Sequence, residues 1–461
     1  MKLLVSELAK VVKAENDWQQ WADVVVEHVE FDTRKIVKNS LFVPLQGGNR
    51  DGHEFLEVAI ESGASVSLWQ KEVAPARANF PILVVEDTLI AMQKIAMYFL
   101  SVVQPKVIGI TGSNGKTTTK DMVASVLGQQ FETYKTQGNY NNHIGLPYTI
   151  LSMPMTTEML VLEMGMDHFG EIEVLSQIAQ PDVAAITMIG ESHMEFLGSR
   201  AGIAKAKMEI VSGLKAGGLL VVPGEEPLLK PLLEQVSQKV LTFGPSQKNN
   251  LSAQITAETK VETTFNVPNY QNSQFVIPVL GQYNVNNALI ALAIGSYFEM
   301  EIGKMATGLA ELDLTKSRTE WLVAANGAEI LSDVYNANPT AMSLVLDTFS
   351  QLPSSGRKYA VLADMGELGD SSQSLHEKMA EHLDPEKIQE VFLFGPQMKA
   401  LFKKLSLKYP KGQVSHYDLD AKGELITKVL EGLQSTDMIV LKGSNSMKLI
   451  EIVEKLTENK S

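Results

Sequence analysis

The chain has 461 residues, 44% of them apolar and 20% charged, with a net charge of −14 and no cysteine. That length exceeds one ordinary hydrophobic core, so two or three domains are expected. Disulfides, thiolate nucleophiles and cysteine metal sites are excluded, and the acidic balance argues against nucleic acid or an anionic membrane surface as partner of the whole molecule.

MKLLVSELAKVVKAEND carries apolar residues at helical spacing, interrupted by Glu7 and Lys10. It reads as a folded element rather than a signal peptide. VVEHVEFDTR reads as a strand entering a turn, SLFVPLQGGNRDGHEF as a strand and a glycine-rich polar loop, LEVAIESGA as a helix ended by glycine, and PILVVED as a strand. Pro81 and the Gln104-Pro105 pair punctuate the chain as domain limits do. The longest apolar stretch, residues 89–103, contains Gln93 and Lys94 and has helical spacing. No membrane span is expected, and a cytoplasmic location is.

From Lys106 the apolar runs KVIGIT, EMLVLEMG, DVAAITMIG, GLLVVPG and KVLTFG alternate with helical patterns. Such runs are buried parallel strands, and the alternation implies a doubly wound α/β sheet. Residues 249–278 are polar and β-rich, an antiparallel excursion. GQYNVNNALIALAIG is a helix with alanine and leucine on its inner face. After Leu312, GAEILSDVYNANP, YAVLADMGELGD, EVFLFGP and DMIVLKGSNSMKL repeat the strand-then-loop pattern as a second parallel α/β unit.

The sharpest motif is VIGITGSNGKTTTKD, a strand, a glycine turn and a helix start. Glycines admit backbone N–H groups to phosphate oxygens, Lys116 neutralises β/γ-phosphates, the Thr117 hydroxyl suits Mg²⁺, and the helix N-terminus adds a positive dipole end. Gly112, Ser113, Asn114, Gly115, Lys116, Thr117 and Thr118 form this loop; Ile110 stands where the general pattern has its first glycine. Glu163 ends a strand of the same sheet and is placed to reach a metal; a solvated strand end is the bland reading. His193 in GESHMEFLGS is a candidate for orienting a metal-bound water or phosphate oxygen, or is a cap. Lys205, Lys207 and Glu209 read first as a solvated helix face. TQGNYNNHIGLP and DVYNANP gather asparagines, whose amides need partners when buried. FDTR and GGNRDGHEF place Arg34 and Arg50 beside glycines, which suits phosphate but is common in surface loops.

GITGSNGKTTT, TQGNYNNHIGLP, LEMG, SHMEFLGS, AKMEI, YNVNNA, SRTEW and DVYNANP occur in the order seen in Mur ligases. The chain resembles that family from FDTR to VLKGSNSMKL, nearly end to end, and the family shares the shortened P-loop spacing. Within it, FVPLQGGNRDGHEF, DVYNANP and LADMGELG resemble the branch that adds D-alanyl-D-alanine. The resemblance implies three domains: a small α/β domain for the UDP end (1–82), a central P-loop domain with a mostly parallel doubly wound sheet (83–313), and a C-terminal Rossmann-like α/β domain (314–461) that closes over the site. It implies that ATP activates the terminal carboxylate of UDP-MurNAc-tripeptide as an acyl phosphate, which the amine of D-alanyl-D-alanine attacks. Roles carried over by motif put Thr117 and Glu163 on one Mg²⁺, His193 near a second, and Lys207 at a position that is often carbamylated and so able to bind metal. Asn287 and Arg318 match the adenine or γ-phosphate side and Asp333 the ribose side. Thr33, Arg34, Gly48, Asn49, Arg50, Asn139, Asn141 and Asn142 would face the UDP-sugar, and Asn336 and Asn338 the dipeptide. A monomer is expected. The family's usual His-Asn pair is Tyr283-Asn284 here; tyrosine cannot carry an imidazole's charge near neutral pH. The alternatives are a P-loop switch or motor, the tripeptide-forming sister ligase, whose Asp-Asn-Pro-Arg motif is absent, and folylpolyglutamate synthetase, which lacks a UDP-sugar domain.

Overall fold

The computed structural model describes residues 1–48, 50–73, 79–271, 273–313, 315 and 320–458. Helix α1 (Val5–Val12) buries Val5, Leu8, Ala9 and Val12 in one stripe, as helical spacing demands. Four parallel strands follow, side by side in chain order: β1 (His28–Glu30), β2 (Ser40–Phe42), β3 (Ala64–Gln70) and β4 (Ile82–Val85). The expected domain boundary at 82/83 falls inside β4. Ile82 pairs with Ser67 and Val85 with Gln70, so the first sheet runs through Val85. Pro81 opens this edge strand, where its missing N–H costs little, and marks no domain limit.

Helix α2 (Thr88–Val103) is capped by Asp87, which accepts from the Ile90 N–H at 2.8 Å. It buries Ala91, Met92, Ile95, Ala96 and Phe99 against the core. No described helix is long and apolar enough to cross a membrane.

The central sheet contains β5 (Lys106–Thr111), β6 (Thr133–Lys135), β7 (Met159–Glu163), β8 (Val183–Ile186), β9 (Leu219–Pro223), β10 (Lys239–Gly244) and β11 (Leu251–Ser252). All are parallel, in the order β11-β10-β9-β8-β5-β7-β6. β7 and β8 are buried throughout, which is why they read as unbroken apolar runs. The chain leaves β5 for β6 and β7 on one side and then crosses to β8 on the other. The crevice beyond β5 is therefore the topological switch point, where ligands bind in such sheets. Helix α3 (Lys116–Gly128) begins there. Helix α4 (Glu171–Ala179) joins β7 to β8; α5 (Met194–Leu197) and α6 (Arg200–Met208) join β8 to β9.

The excursion after β11 is a three-stranded antiparallel sheet, β12 (Gln254–Glu258), β13 (Thr263–Val267) and β14 (Ser273–Ile277). Helix α7 (Gln282–Tyr297) corrects the expected one-sided pattern: residues 287–295 are all buried. It lies between α3 and the antiparallel sheet, in one core with Val123, Val126, Phe265 and Phe275, and a helix covered all round needs no polar face.

The C-terminal unit has β15 (Glu320–Val323), β16 (Glu329–Asp333), β17 (Lys358–Ala363), β18 (Glu390–Phe394), β19 (Val414–Tyr417) and β20 (Met438–Lys442), in the order β15-β16-β20-β17-β18-β19. Only β15 runs antiparallel to its neighbour. Helix α8 (Pro339–Gln351) follows β16, with Asn338 as its cap. Apolar clusters cover both faces of this sheet.

The first and central units meet through aromatics. Phe31 lies edge-on to Tyr148 at 5.1 Å, and the Tyr140 hydroxyl accepts from Lys35 Nζ at 2.7 Å. Tyr148 donates to Glu30 at 2.9 Å, while the other Glu30 oxygen is enclosed without a partner. Burial pushes the Glu30 carboxyl up to about 7, against the opposing Tyr148 bond and Lys35 charge. A raised folded pKa means that folding takes up a proton between the ordinary 4.5 and about 7, so this contribution to stability falls as pH rises through that window. Glu30→Gln removes it. The melting temperature of the wild type is expected to drop relative to Glu30→Gln between about pH 5 and about pH 8; parallel melting curves would refute the assignment.

Candidate functional site

Apolar β5 delivers the chain to Gly112 with no side chain to spare. A Cβ on Gly112 would lie 1.8 Å from Thr187 Oγ1, and one on Gly115, at φ +81°, would lie 2.7 Å from Asn287 Oδ1. The loop is tied down by the Ser113 N–H to the Met188 carbonyl at 2.9 Å and by Ser113 Oγ accepting from the Gly190 N–H at 2.9 Å. Thr187 Oγ1 donates to the Asn114 carbonyl. Gly112→Ala is therefore expected to displace the loop and cut turnover by about a hundredfold or more, because misplacing reacting groups by an ångström costs that much. Calorimetry with a non-hydrolysable ATP analogue reads the same displacement as lost binding.

Lys116 Nζ donates to the Gly112 carbonyl at 2.8 Å. Thr117 Oγ1 donates to Glu163 Oε2 at 2.8 Å, and Asn141 Nδ2 donates to Glu163 Oε1 at 2.9 Å. Glu163 is 2% exposed, so it is not a solvated strand end. A hydroxyl and a carboxylate facing each other beneath a phosphate loop are hard oxygen donors of the kind Mg²⁺ takes.

These groups open into a cavity of about 340 Å³. Ser113, Asn114, Gly115, Lys116, Thr118, Glu163, His193 and Asn287 line it from the central unit, and Asp333 and Asn336 from the C-terminal unit. Asn139, Asn141 and Asn142 line it as well, so that loop faces the same cavity as the glycine loop. Its Asn142 Oδ1 accepts from the Gly145 N–H at 2.9 Å, which holds the turn.

Lys207 departs from the solvated-face reading. Lys205 is exposed and Lys207 is 1% exposed, since residues two apart on a helix point to different faces. Burial holds the Lys207 amine well below its ordinary pKa, and the Lys116 charge lowers it further, against Glu209. Glu209 itself caps α4, accepting from the Gly170 N–H at 2.9 Å and 3.0 Å.

Asn338 also differs from expectation. It is 2% exposed, and its amide is spent on Asn114 at 2.7 Å and 3.1 Å, Ser192 at 2.7 Å and the α8 cap at 2.9 Å. It docks the C-terminal unit on the P-loop and has no group left for a dipeptide. Thr340 adds a hydrogen bond to Glu191. These bonds hold the C-terminal unit against the phosphate-loop side of the central unit in this structure.

Thr33 is half-buried and Gly48, Arg34 and Arg50 are exposed, all on the first unit and outside the cavity lining. Arg34 makes a bidentate pair with Asp32 at 2.8 Å and 2.7 Å. Asn49 and Arg318 lie outside the described residues. Lys442, Asp167 and Tyr335 are among the lining groups that escaped the sequence reading. Lys442 is 2% exposed and donates to Asp333 at 2.6 Å and to the Asn336 carbonyl at 3.0 Å. Its signal was present, since a charge ending the apolar strand MIVLK is the pattern that singled out Glu163.

Residues 110–295 match the Mur ligase middle domain, and residues 317–445 match the Mur ligase glutamate ligase domain. Over 460 residues the chain is 43% identical to the UDP-N-acetylmuramoyl-tripeptide–D-alanyl-D-alanine ligase of Bacillus subtilis (strain 168), covering 100% of this chain and 99% of that protein. The chain belongs to the Mur ligase family. Its fold is similar to crystal structure I of MurF from Acinetobacter baumannii, with TM-score 0.89, 27% identity and 99% of both chains covered. It is also similar to MurF ligase from Thermotoga maritima in complex with ADP, with TM-score 0.82, 25% identity, and 94% of this chain and 98% of that one covered. In this Mur ligase Tyr283 and Asn284 line the cavity, and Asn284 Nδ2 donates to the Leu280 carbonyl at 2.7 Å, anchoring the start of α7.

Proposed function

We propose that this Mur ligase works at the cavity between its central and C-terminal units, joining D-alanyl-D-alanine to UDP-MurNAc-tripeptide. The chain is an ATP-dependent ligase of peptidoglycan precursor synthesis, forming an amide through an acyl phosphate and releasing ADP and phosphate. The observation that carries this reading is one cavity lined both by the P-loop and by the DVYNANP turn of a second α/β unit. A switch or motor needs no such second wall.

Lys116, the loop N–H groups and the N-terminus of α3 stabilise the negative phosphoryl oxygens. Asn287 faces the nucleotide from Gly115, and Asp333 accepts from the ribose; Arg318 is assigned to the γ-phosphate side by its motif. Thr117, Glu163, His193 and, once carbamylated, Lys207 would hold two Mg²⁺ ions. Those ions supply charge neutralisation for the phosphates. Asn336 is the dipeptide-side candidate. Thr33, Arg34, Gly48, Asn49 and Arg50 are assigned to the UDP end. The Asn139–Asn142 loop supports a substrate spanning both units, because Tyr140 touches Lys35 while Asn141 touches Glu163. The docked C-terminal unit excludes water that would hydrolyse the acyl phosphate. UDP-linked and ATP substrates place the reaction in the cytoplasm, and a monomer holds the whole cavity.

The test is phosphate release from ATP with Mg²⁺, UDP-MurNAc-tripeptide and D-alanyl-D-alanine, omitting each in turn. Release that needs both organic substrates, with a pentapeptide mass, supports the reading. Equal turnover without them overturns it.

A further inference from the structure

We propose that Asp121, a buried carboxylate on α3, is a positioning residue for the ligase site. It ties to the phosphate-loop helix both the strand that carries the asparagine loop and the segment that leads into the C-terminal unit. The proposal rests on reading the cavity as the ligase site. Asp121 and its neighbour Lys120 are each 1% exposed, and neither lines the cavity. Asp121 Oδ1 accepts from Lys135 Nζ at 2.6 Å and lies 3.4 Å from Lys120 Nζ. Its Oδ2 accepts from the Thr315 N–H at 3.1 Å and from the Thr315 hydroxyl at 2.9 Å. Burial pushes the carboxyl up, but Lys120, Lys135 and the Thr315 N–H outweigh it and hold the group below its ordinary pKa. A buried ion pair adds little net stability over packed apolar residues, yet it fixes which groups meet.

The first arm reaches Glu163. Lys135 ends β6, the edge strand from which the asparagine loop leaves. Lys120 Nζ donates to the carbonyl of the next residue, Thr136, at 2.9 Å. Thr136 Oγ1 accepts in turn from the Glu163 N–H at 3.0 Å. The Glu163 carboxylate is already held by Thr117 and Asn141. Thr117 stands three residues before Lys120 and four before Asp121, so all three share one face of α3. That face therefore grips Glu163 both by its side chain and through its backbone.

The second arm reaches the opposite wall of the cavity. Thr315 lies between the helix Ile302–Ala310 and β15. That helix also rests on α3, where the Ser125 hydroxyl donates to the Gly308 carbonyl at 2.6 Å. β15 pairs with β16 so that Glu320 faces Ser332, the residue before Asp333. Thr315 stands five residues before Glu320. Its clamp thus bears on the spacing between the phosphate loop and Asp333.

The test uses the full chain in three variants. Thr315→Val removes the hydroxyl and keeps the size, and Thr315→Ser keeps the hydroxyl. Lys120→Met combined with Asp121→Leu replaces the buried pair by apolar side chains, which such a site tolerates. Thr315→Val is expected to lower kcat for phosphate release by about tenfold, the scale of a lost hydrogen bond to a charged group. The KM for ATP should stay within about twofold, because the loop supports at Ser113 and Thr187 are untouched. Thr315→Ser should restore kcat. In the double variant, amides of residues 137–142 should exchange with deuterium at least about tenfold faster. A role in stability alone would lower the melting temperature and leave kcat per folded molecule unchanged. Wild-type kcat in Thr315→Val, or wild-type exchange in the double variant, overturns the proposal. Thr315→Val leaves the buried pair in place, so its result does not depend on how the double variant folds. Wild type assayed alongside tests the ligase reading, and the exchange measurement needs no turnover, so the two failures are distinguishable.

Discussion

Lys116→Met is expected to lower kcat for ligation by roughly a thousandfold, the scale of losing a preorganised charge at developing phosphoryl oxygens. Methionine keeps most of the stem and removes the ammonium. In this structure the ammonium braces its own loop through the Gly112 carbonyl at 2.8 Å, a bond that the proposed role requires it to exchange for phosphate. The loop has independent supports in Ser113, Thr187 and Gly190. The melting temperature should therefore move little while phosphate release collapses. Circular dichroism melts beside the release assay separate the two effects. Turnover within about threefold of wild type would remove Lys116 from the phosphate site.

Lys207→Met is expected to lose activity and gain stability together. The wild-type amine is enclosed, and its folded pKa is held well below the ordinary 10.5 by burial and by Lys116. Between those two values the unfolded chain binds a proton that the folded chain does not, so the folded state is penalised as pH falls below the ordinary lysine range. Methionine carries no such cost. Its melting temperature at about pH 7 should exceed the wild type's by about 2 °C or more, and the gap should close as pH rises toward 10.5. Ligation should meanwhile fall by about a hundredfold or more if a metal ligand has gone. The neutral amine is the form that attacks CO₂, forming an N–C bond and losing a proton, so wild type freed of CO₂ should recover activity on adding bicarbonate. A destabilised Lys207→Met with bicarbonate-indifferent wild type would refute both halves.

The two predictions pull in opposite directions for one reason. Lys116 presents its ammonium at the loop to which phosphate binding is assigned. Burial and the nearby Lys116 charge hold the Lys207 amine well below its ordinary pKa. A buried amine of this kind costs stability, and its proposed use at the site is the usual exchange of stability for activity.

Much of this molecule was determined by the sequence alone. Apolar runs such as MLVL and VAAI read as strands covered on both faces, and their alternation with helical spacing implied the doubly wound sheet. The glycines of GSNGK permit the close approaches that the structure contains, so the phosphate loop was legible as local chemistry. Gln93, Lys94 and the helical spacing of residues 89–103 were enough for a packed helix rather than a membrane span. Tertiary structure decided what depends on a partner distant in sequence. Lys207 resembled Lys205 until α6 packed, because helical neighbours share a composition but not a face. Asn338 resembled Asn336 until docking on Asn114 and Ser192 consumed its amide. The first sheet claimed residues 82–85 through pairing with β3, which no punctuation at Pro81 could signal. Asp167, His193 and Glu367 meet across 200 residues of chain, from 167 to 367; spacing carries no trace of such a meeting, since it is made only by the docking of one unit on another.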